Sequence, residues 1–233
     1  YTSLKTKTLK RLSYGHPLNQ GFDIEKLNKI DSIANYAINN KMTPGAQILV
    51  ARNGEVVYNK SFGNKTYDSN KEIKWNDIYD LASLTKIIST VPLMMEEFEK
   101  GNLNLETTLS DLFPTQNLNE KSSLTIKEMF SHQSGLFPWI PFYKKTIDSV
   151  TNKPLSFWYK SNKSKGFNIK VNENLFLKDI FLDSISSEIL KSKLYKDKSY
   201  VYSDLPYYFM KEFLEKKNFI DLDFQLKKKF YLI

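Results

Sequence analysis

The chain has 233 residues, 34 Lys and Arg against 26 Asp and Glu for a net charge of +8, and no cysteine. That length can bury a sizeable core in one or two domains, and 41% hydrophobic with 14% aromatic content excludes a wholly disordered chain. No disulfide framework, thiol nucleophile or thiolate metal site is available, and no apolar run approaches the roughly 20 residues of a membrane span. The positive surplus does not mark a nucleic-acid binder. Lysines sit beside acids in Glu25-Lys26, Lys71-Glu72, Lys127-Glu128 and Lys211-Glu212, as on a solvated face, and only Lys227-Lys228-Lys229 forms a tight run. The chain starts at Tyr1 without Met or a leader, which predicts a processed, excised or partial product.

Residues 1–22 are polar, contain Gly15, Pro17 and Gly21, and read as a lead-in or linker before a domain over 23–233. Asp23 is a predicted N-cap, and Leu27, Ile30, Ala34 and Ile38 recur at helical spacing until about Lys41. Asn53-Gly54 between Ala46–Ala51 and Glu55–Lys60 predicts a hairpin, because a type I′ turn needs positive φ at both central positions. A second helix carries Leu84, Ile87, Ile88, Val91, Met94, Met95 and Phe98 on its apolar side, is bent at Pro92 and ends at Gly101. Thr125 with Glu128 predicts a capping box for a short helix stopped near Gly135. Residues 136–170 read as a long aromatic loop, 174–194 as helix-like, and Asp204-Leu205-Pro206 as the start of a helix to about Lys217.

Ser83-Leu84-Thr85-Lys86 is the sharpest short pattern. Spacing i, i+3 puts the hydroxyl and the amine on one helix face, with Ser83 at the positive end of the helix dipole. Lys86 beside Ile87 and Ile88 would be partly desolvated, which lowers a lysine pKa and lets it take the serine proton. On the tetrad alone the plainer reading holds, with Ser83 an N-cap and Lys86 a surface charge.

Its surroundings reverse that. Pro44–Tyr58 with Phe62-Gly63 precedes it; Gly101-Asn102-Leu103, Leu109–Pro114, Thr125–Leu136 and Tyr202-Ser203-Asp204-Leu205 follow in order. From about residue 24 to 217 this series resembles the class C β-lactamase-like serine hydrolases, which include penicillin-binding esterases, D-peptidases and β-lactamases. The Leu136–Lys144 stretch resembles the branch fused to family 3 glycoside hydrolases.

The resemblance implies an α+β, β-lactamase/transpeptidase-like fold, a helical lobe plus an antiparallel sheet, here incomplete at the C-terminus. It implies Ser83 as the acyl-forming nucleophile, Lys86 as its base and Tyr202 as the proton shuttle of a Tyr-x-Asn motif. Asp204 stands where that motif has Asn and, with Trp139, would contact substrate. A carboxylate only accepts hydrogen bonds where the amide also donates, so Asp204 either pairs with Lys86 or caps the helix after it. His132, in a segment that is structural in the family, reads as a satisfied histidine, and His16 has no evident partner. Trp139, Phe142, Tyr143, Trp158 and Tyr159 line a pocket or pack the loop. Neither a metal site nor a cofactor is expected. The family's third motif, a late Lys-Thr-Gly or His-x-Gly on a strand, is missing, since no glycine follows Tyr202. Those strands are then supplied by a fused or separate chain, are omitted here, or are truly absent.

The expected activity is acyl transfer to water from an ester, a D-amino-acid peptide or a β-lactam, acting on a small acyl substrate or cell-wall peptide in a bacterial envelope. The alternative is a non-catalytic relative that binds cell-wall glycopeptide or supports a fused glycosidase.

Overall fold

A computed structural model describes residues 12–231, which divide into two compact units, residues 12–80 and 81–231. In the first unit Asp23 caps α1 (Ile24–Asn39), its carboxylate accepting from the Lys26 N–H. Leu27 and Ala34 bury one side of that helix, and Lys41 in the left-handed region ends it. A hairpin follows, β2 (Gly45–Arg52) and β3 (Glu55–Gly63), turning at Asn53 and Gly54 with φ of 53° and 79° as the type I′ turn requires. A register shift at Val50/Ala51 marks a bulge. Residues 12–22 are more than a lead-in. The strand β1 (Ser13–Tyr14) pairs in parallel with β3, giving the order β1-β3-β2, and a 3₁₀ turn covers Pro17–Gln20. Two residues are too short for a periodicity signal, which is why the sequence pattern does not reveal this strand. Residues 1–11 lie outside the described residues.

The second unit is mainly helical. Its core gathers Leu93, Met94, Leu109, Leu124, Ile126, Met129, Leu136, Ile189, Leu205, Phe209, Met210 and Leu214. Each such side chain, fully buried, contributes about 1.5–3 kcal/mol. The helix after Ser83 opens with residues 84–85, passes through a π turn at Lys86–Thr90 and continues as α2 (Val91–Glu99). The bend expected at Pro92 is therefore a local widening. Proline lacks an N–H and crowds the carbonyl four residues back, and the wider turn, in which the Val91 N–H reaches the Lys86 carbonyl, makes room. Two short helices, α3 (Leu109–Leu112) and α4 (Ile126–Phe130), both start with capping boxes, Thr108 with Asp111 and Thr125 with Glu128.

The expected long loop is partly structured. A 3₁₀ turn covers Phe142–Lys145, and β4 (Tyr159–Lys160), β5 (Ile169–Asn172) and β6 (Leu175–Leu177) form a small antiparallel sheet ordered β4-β6-β5. The helix-like reading of 174–194 is corrected here. Its first residues are β6, joined to β5 by a Glu173-Asn174 turn without glycine, and only α5 (Phe181–Lys191) is helical. α6 (Leu205–Asn218) has Pro206 in its first turn, and α7 (Leu222–Leu226) runs into a π turn at Lys227–Tyr231.

Two buried charges brace this unit. Lys121, fully buried, donates to the carbonyls of Leu190 and Ser192, which closes the C-terminal end of α5 where cations are favoured. Glu97 on α2 accepts from Lys217 on α6 and from Asn102, and lies 3.6 Å from Lys100. Burial pushes the Glu97 pKa up, but these partners outweigh it and hold the carboxylate below its ordinary value.

Candidate active site

The first half of the site is a single turn of chain. Ala82, at φ 43°, stands in the left-handed region that costs a non-glycine residue about 1–2 kcal/mol and delivers Ser83 to an exposed position. The N–H groups of Leu84, Thr85 and Lys86 bond to carbonyls three residues back, at 2.9, 3.0 and 3.0 Å. This tight opening turn eclipses i and i+3, which sets Lys86 over Ser83. The Lys86 ammonium donates to Ser83 Oγ at 3.0 Å.

The second half comes from distant chain. At the end of α4, His132 takes φ 57° and Gly135 takes φ 74°. A Cβ on Gly135 would lie 2.7 Å from the Tyr195 carbonyl oxygen, so only glycine fits that turn. The loop so shaped grips residues 201–205. The Val201 N–H bonds the His132 carbonyl at 2.9 Å, and the Ser203 N–H bonds His132 Nδ1 at 3.1 Å. Ser203 Oγ donates to the Phe137 carbonyl at 2.6 Å, and the Asp204 N–H donates to the Pro138 carbonyl at 2.8 Å. The His132 ring lies 4.6 Å from that of Tyr202. Burial, then the charge of Lys86, lowers the His132 pKa, and its Nδ1 is an acceptor; His132 is a neutral bracket for this segment.

The two halves meet at Lys86. Its ammonium lies 2.7 Å from Asp204 Oδ1 and 5.4 Å from the ring centres of both Tyr202 and Tyr207. The one ammonium thus joins Ser83 Oγ and Asp204 Oδ1, with the rings of Tyr202 and Tyr207 beside it. Burial lowers the Lys86 pKa, as expected from its neighbours, but Asp204 and Tyr202 more than reverse that effect and hold it above the ordinary lysine value. The resting lysine is a cation, not a ready base. Its carboxylate partner is remote in sequence, which is why local composition points the wrong way.

Asp204 precedes α6 yet makes no side-chain cap; Ser203 Oγ accepts the Leu205 N–H instead, at 3.2 Å. Of the two roles open to Asp204, pairing with Lys86 is the one present. Trp139 follows Pro138, whose carbonyl touches this segment, and its indole is exposed. Phe142, Trp158 and Tyr159 pack: Phe142 against Tyr208, Trp158 against Phe181, and the Tyr159 hydroxyl 2.9 Å from Thr146 Oγ1. Tyr207 and Ser203 are additions that pattern reading missed. Tyr207 would have been found from its place on the first turn of α6, beside Tyr202. Among the described residues no group of three His, Asp or Glu could hold a metal ion, and no helix is long and apolar enough to cross a membrane.

An exposed serine at a helix start, a lysine one turn on, and a tyrosine ring beside that lysine lie together on a mixed helix-and-sheet fold. The β-lactamase family model matches residues 33–166, more than half of the chain, and the chain belongs to that family of serine hydrolases. "Protein flp" of Staphylococcus aureus (strain MRSA252) is 31% identical over 128 residues, 54% of this chain and 25% of that protein. The octameric penicillin-binding protein homologue from Pyrococcus abyssi superposes with a TM-score of 0.63 at 19% identity, over 88% of this chain and 42% of that one. The D-amino acid amidase from Ochrobactrum anthropi SV3 does so with a TM-score of 0.60 at 14% identity, over 88% and 48%. The chain therefore spans a quarter to a half of the length of these relatives.

Proposed function

We propose that the chain carries the acylating part of a serine hydrolase, with Ser83 as nucleophile. The observation that carries this reading is the 3.0 Å contact between Ser83 Oγ and Lys86, with the Tyr202 ring centre 5.4 Å from the same ammonium. Lys86 and Tyr202 act as a pair, in which Lys86 must first shed a proton to become a base. The Ser83 oxygen then bonds to the acyl carbon, its proton enters the pair, and the pair returns that proton to the departing group as the acyl–leaving-group bond breaks. Water repeats the cycle on the acyl-serine and frees the acid. Asp204 and the exposed Trp139 border the acyl group on this reading.

The substrate would be an ester, a D-amino-acid peptide or a β-lactam, small or borne on a cell-wall peptide, in a bacterial envelope. The family, and a relative named as a D-amino acid amidase, support that range. Fusion to a family 3 glycoside hydrolase, and strands with a Lys/His-x-Gly element supplied from outside this chain, belong to the same reading. Hydrolysis of a chromogenic ester by the intact protein, lost in Ser83→Ala, is the expected result; equal rates in both would remove Ser83 from the mechanism.

A second reading is favoured by one observation, the hold of Asp204 on Lys86. A non-catalytic relative would keep this fold to bind cell-wall glycopeptide. It predicts retention of that glycopeptide with no ester hydrolysis at any pH.

A further inference from the structure

The carboxylate of Asp204 is divided between two environments. Oδ1 is fully buried and lies 2.7 Å from the Lys86 ammonium, yet the side chain as a whole is 41% exposed. Its exposure therefore falls on Oδ2 and the methylene. Ser83 Oγ and Asp204 Oδ1 share one ammonium, at 3.0 and 2.7 Å, so their separation cannot exceed the sum of those two contacts. An acyl group bonded to Ser83 Oγ is therefore formed near this carboxylate, whose exposed oxygen is Oδ2. Lys86 already balances the charge, so what Oδ2 offers an incoming group is chiefly a hydrogen-bond acceptor. An ionised carboxylate cannot donate, and a substrate that places a second acceptor against it leaves both unpaired.

We infer that Asp204 makes this site selective for acyl groups carrying an N–H or O–H donor next to the reacting carbonyl, as in α-hydroxy or α-amino acyl compounds. Groups presenting only an acceptor there are disfavoured. This rests on the reading of Ser83 as nucleophile. The side chain is free to serve it, since Ser203 Oγ, not Asp204, caps α6.

The test uses the intact protein and two esters, methyl lactate, which has a hydroxyl donor, and methyl 2-methoxypropionate, its acceptor-only ether. Methyl 2-methylbutanoate, which is neither donor nor acceptor there, controls for size. The readouts are kcat/KM and protection of Ser83 against a fluorophosphonate by each ester. The expected result is preference for the lactate over the ether on the order of tenfold, the scale of one hydrogen bond to a charged group. In Asp204→Asn, whose amide can donate, the ratio should fall to near one or reverse. A role limited to orienting Lys86 would lower both rates and leave the ratio alone.

Equal handling or preference for the ether by the wild type overturns the inference while hydrolysis stands. So does a site that labels but is protected by neither ester. Absence of both hydrolysis and labelling at Ser83 removes the hydrolase reading, and the inference with it.

Discussion

The two halves of the site are made in different ways. Ser83 and Lys86 are placed by one tight turn whose hydrogen bonds all lie within six residues, Leu81 to Lys86. Tyr202 and Asp204 sit in a short extended segment with no ladder of its own, held by His132, Phe137 and Pro138 from a loop far away in sequence. Spacing suffices for the first half. The second exists only when the long-range backbone bonds form, so it should be the more fragile, and its charges cannot be judged from its neighbours in the chain.

The largest expected effect lies in the local half. Lys86→Ala should reduce kcat/KM for a chromogenic ester by about 10²–10⁴-fold, the usual contribution of a positioned proton-transfer group. The thermal midpoint should fall modestly, since the core cluster is untouched but the buried Asp204 Oδ1 loses its cation. A large drop in that midpoint would show that the local half is not locally made.

Ser203→Ala strikes the assembled half. It removes the donor to the Phe137 carbonyl and the acceptor for the Leu205 N–H at a site that is only 1% exposed. A loss of about 1–3 kcal/mol in denaturant unfolding is expected, with activity falling more than fluorophosphonate access to Ser83. Unchanged stability would mean that the loop does not hold Tyr202.

Gly54→Ala, in the hairpin of the first unit, is a purely local control. At φ 79° with open space around it, only backbone strain opposes the new methyl. Unfolding of that unit should weaken by about 1 kcal/mol.

The smallest effect is a displacement along the pH axis. Asp204→Asn removes the larger of the two influences that raise the Lys86 pKa, leaving Tyr202 alone to oppose burial, which lowers it. The limb of kcat/KM that rises as Lys86 loses its proton should therefore move to lower pH. The stability gained from the raised lysine pKa is complete below the ordinary lysine value and is lost only as pH climbs through the higher folded one. Neutral-pH stability thus reports the pair in full. A limb that stays in place would separate Asp204 from the titration.

What was legible in the sequence follows the same division. Asp23, Asn53-Gly54, the Thr125–Glu128 box and Ser83-x-x-Lys86 each act within a few residues, and all four features stand where their spacing put them. The order of motifs along the chain was enough for the family. The π turn at Lys86–Thr90 was not legible, because it answers the crowding at Pro92 without changing the apolar pattern. Nor was the β5-β6 hairpin, whose Glu173-Asn174 turn has no glycine and whose apolar residues run on into α5. The direction of the Lys86 shift is not legible locally, because its decisive partners arrive from the assembled half.

The central claim is that Ser83 is the nucleophile, served by Lys86 and Tyr202. Mass spectrometry of the intact protein after fluorophosphonate treatment tests it most directly. The account predicts one adduct, mapping to Ser83, formed more slowly in Lys86→Ala and absent in Ser83→Ala. An unmodified protein, or an adduct on another residue that persists in Ser83→Ala, would contradict it.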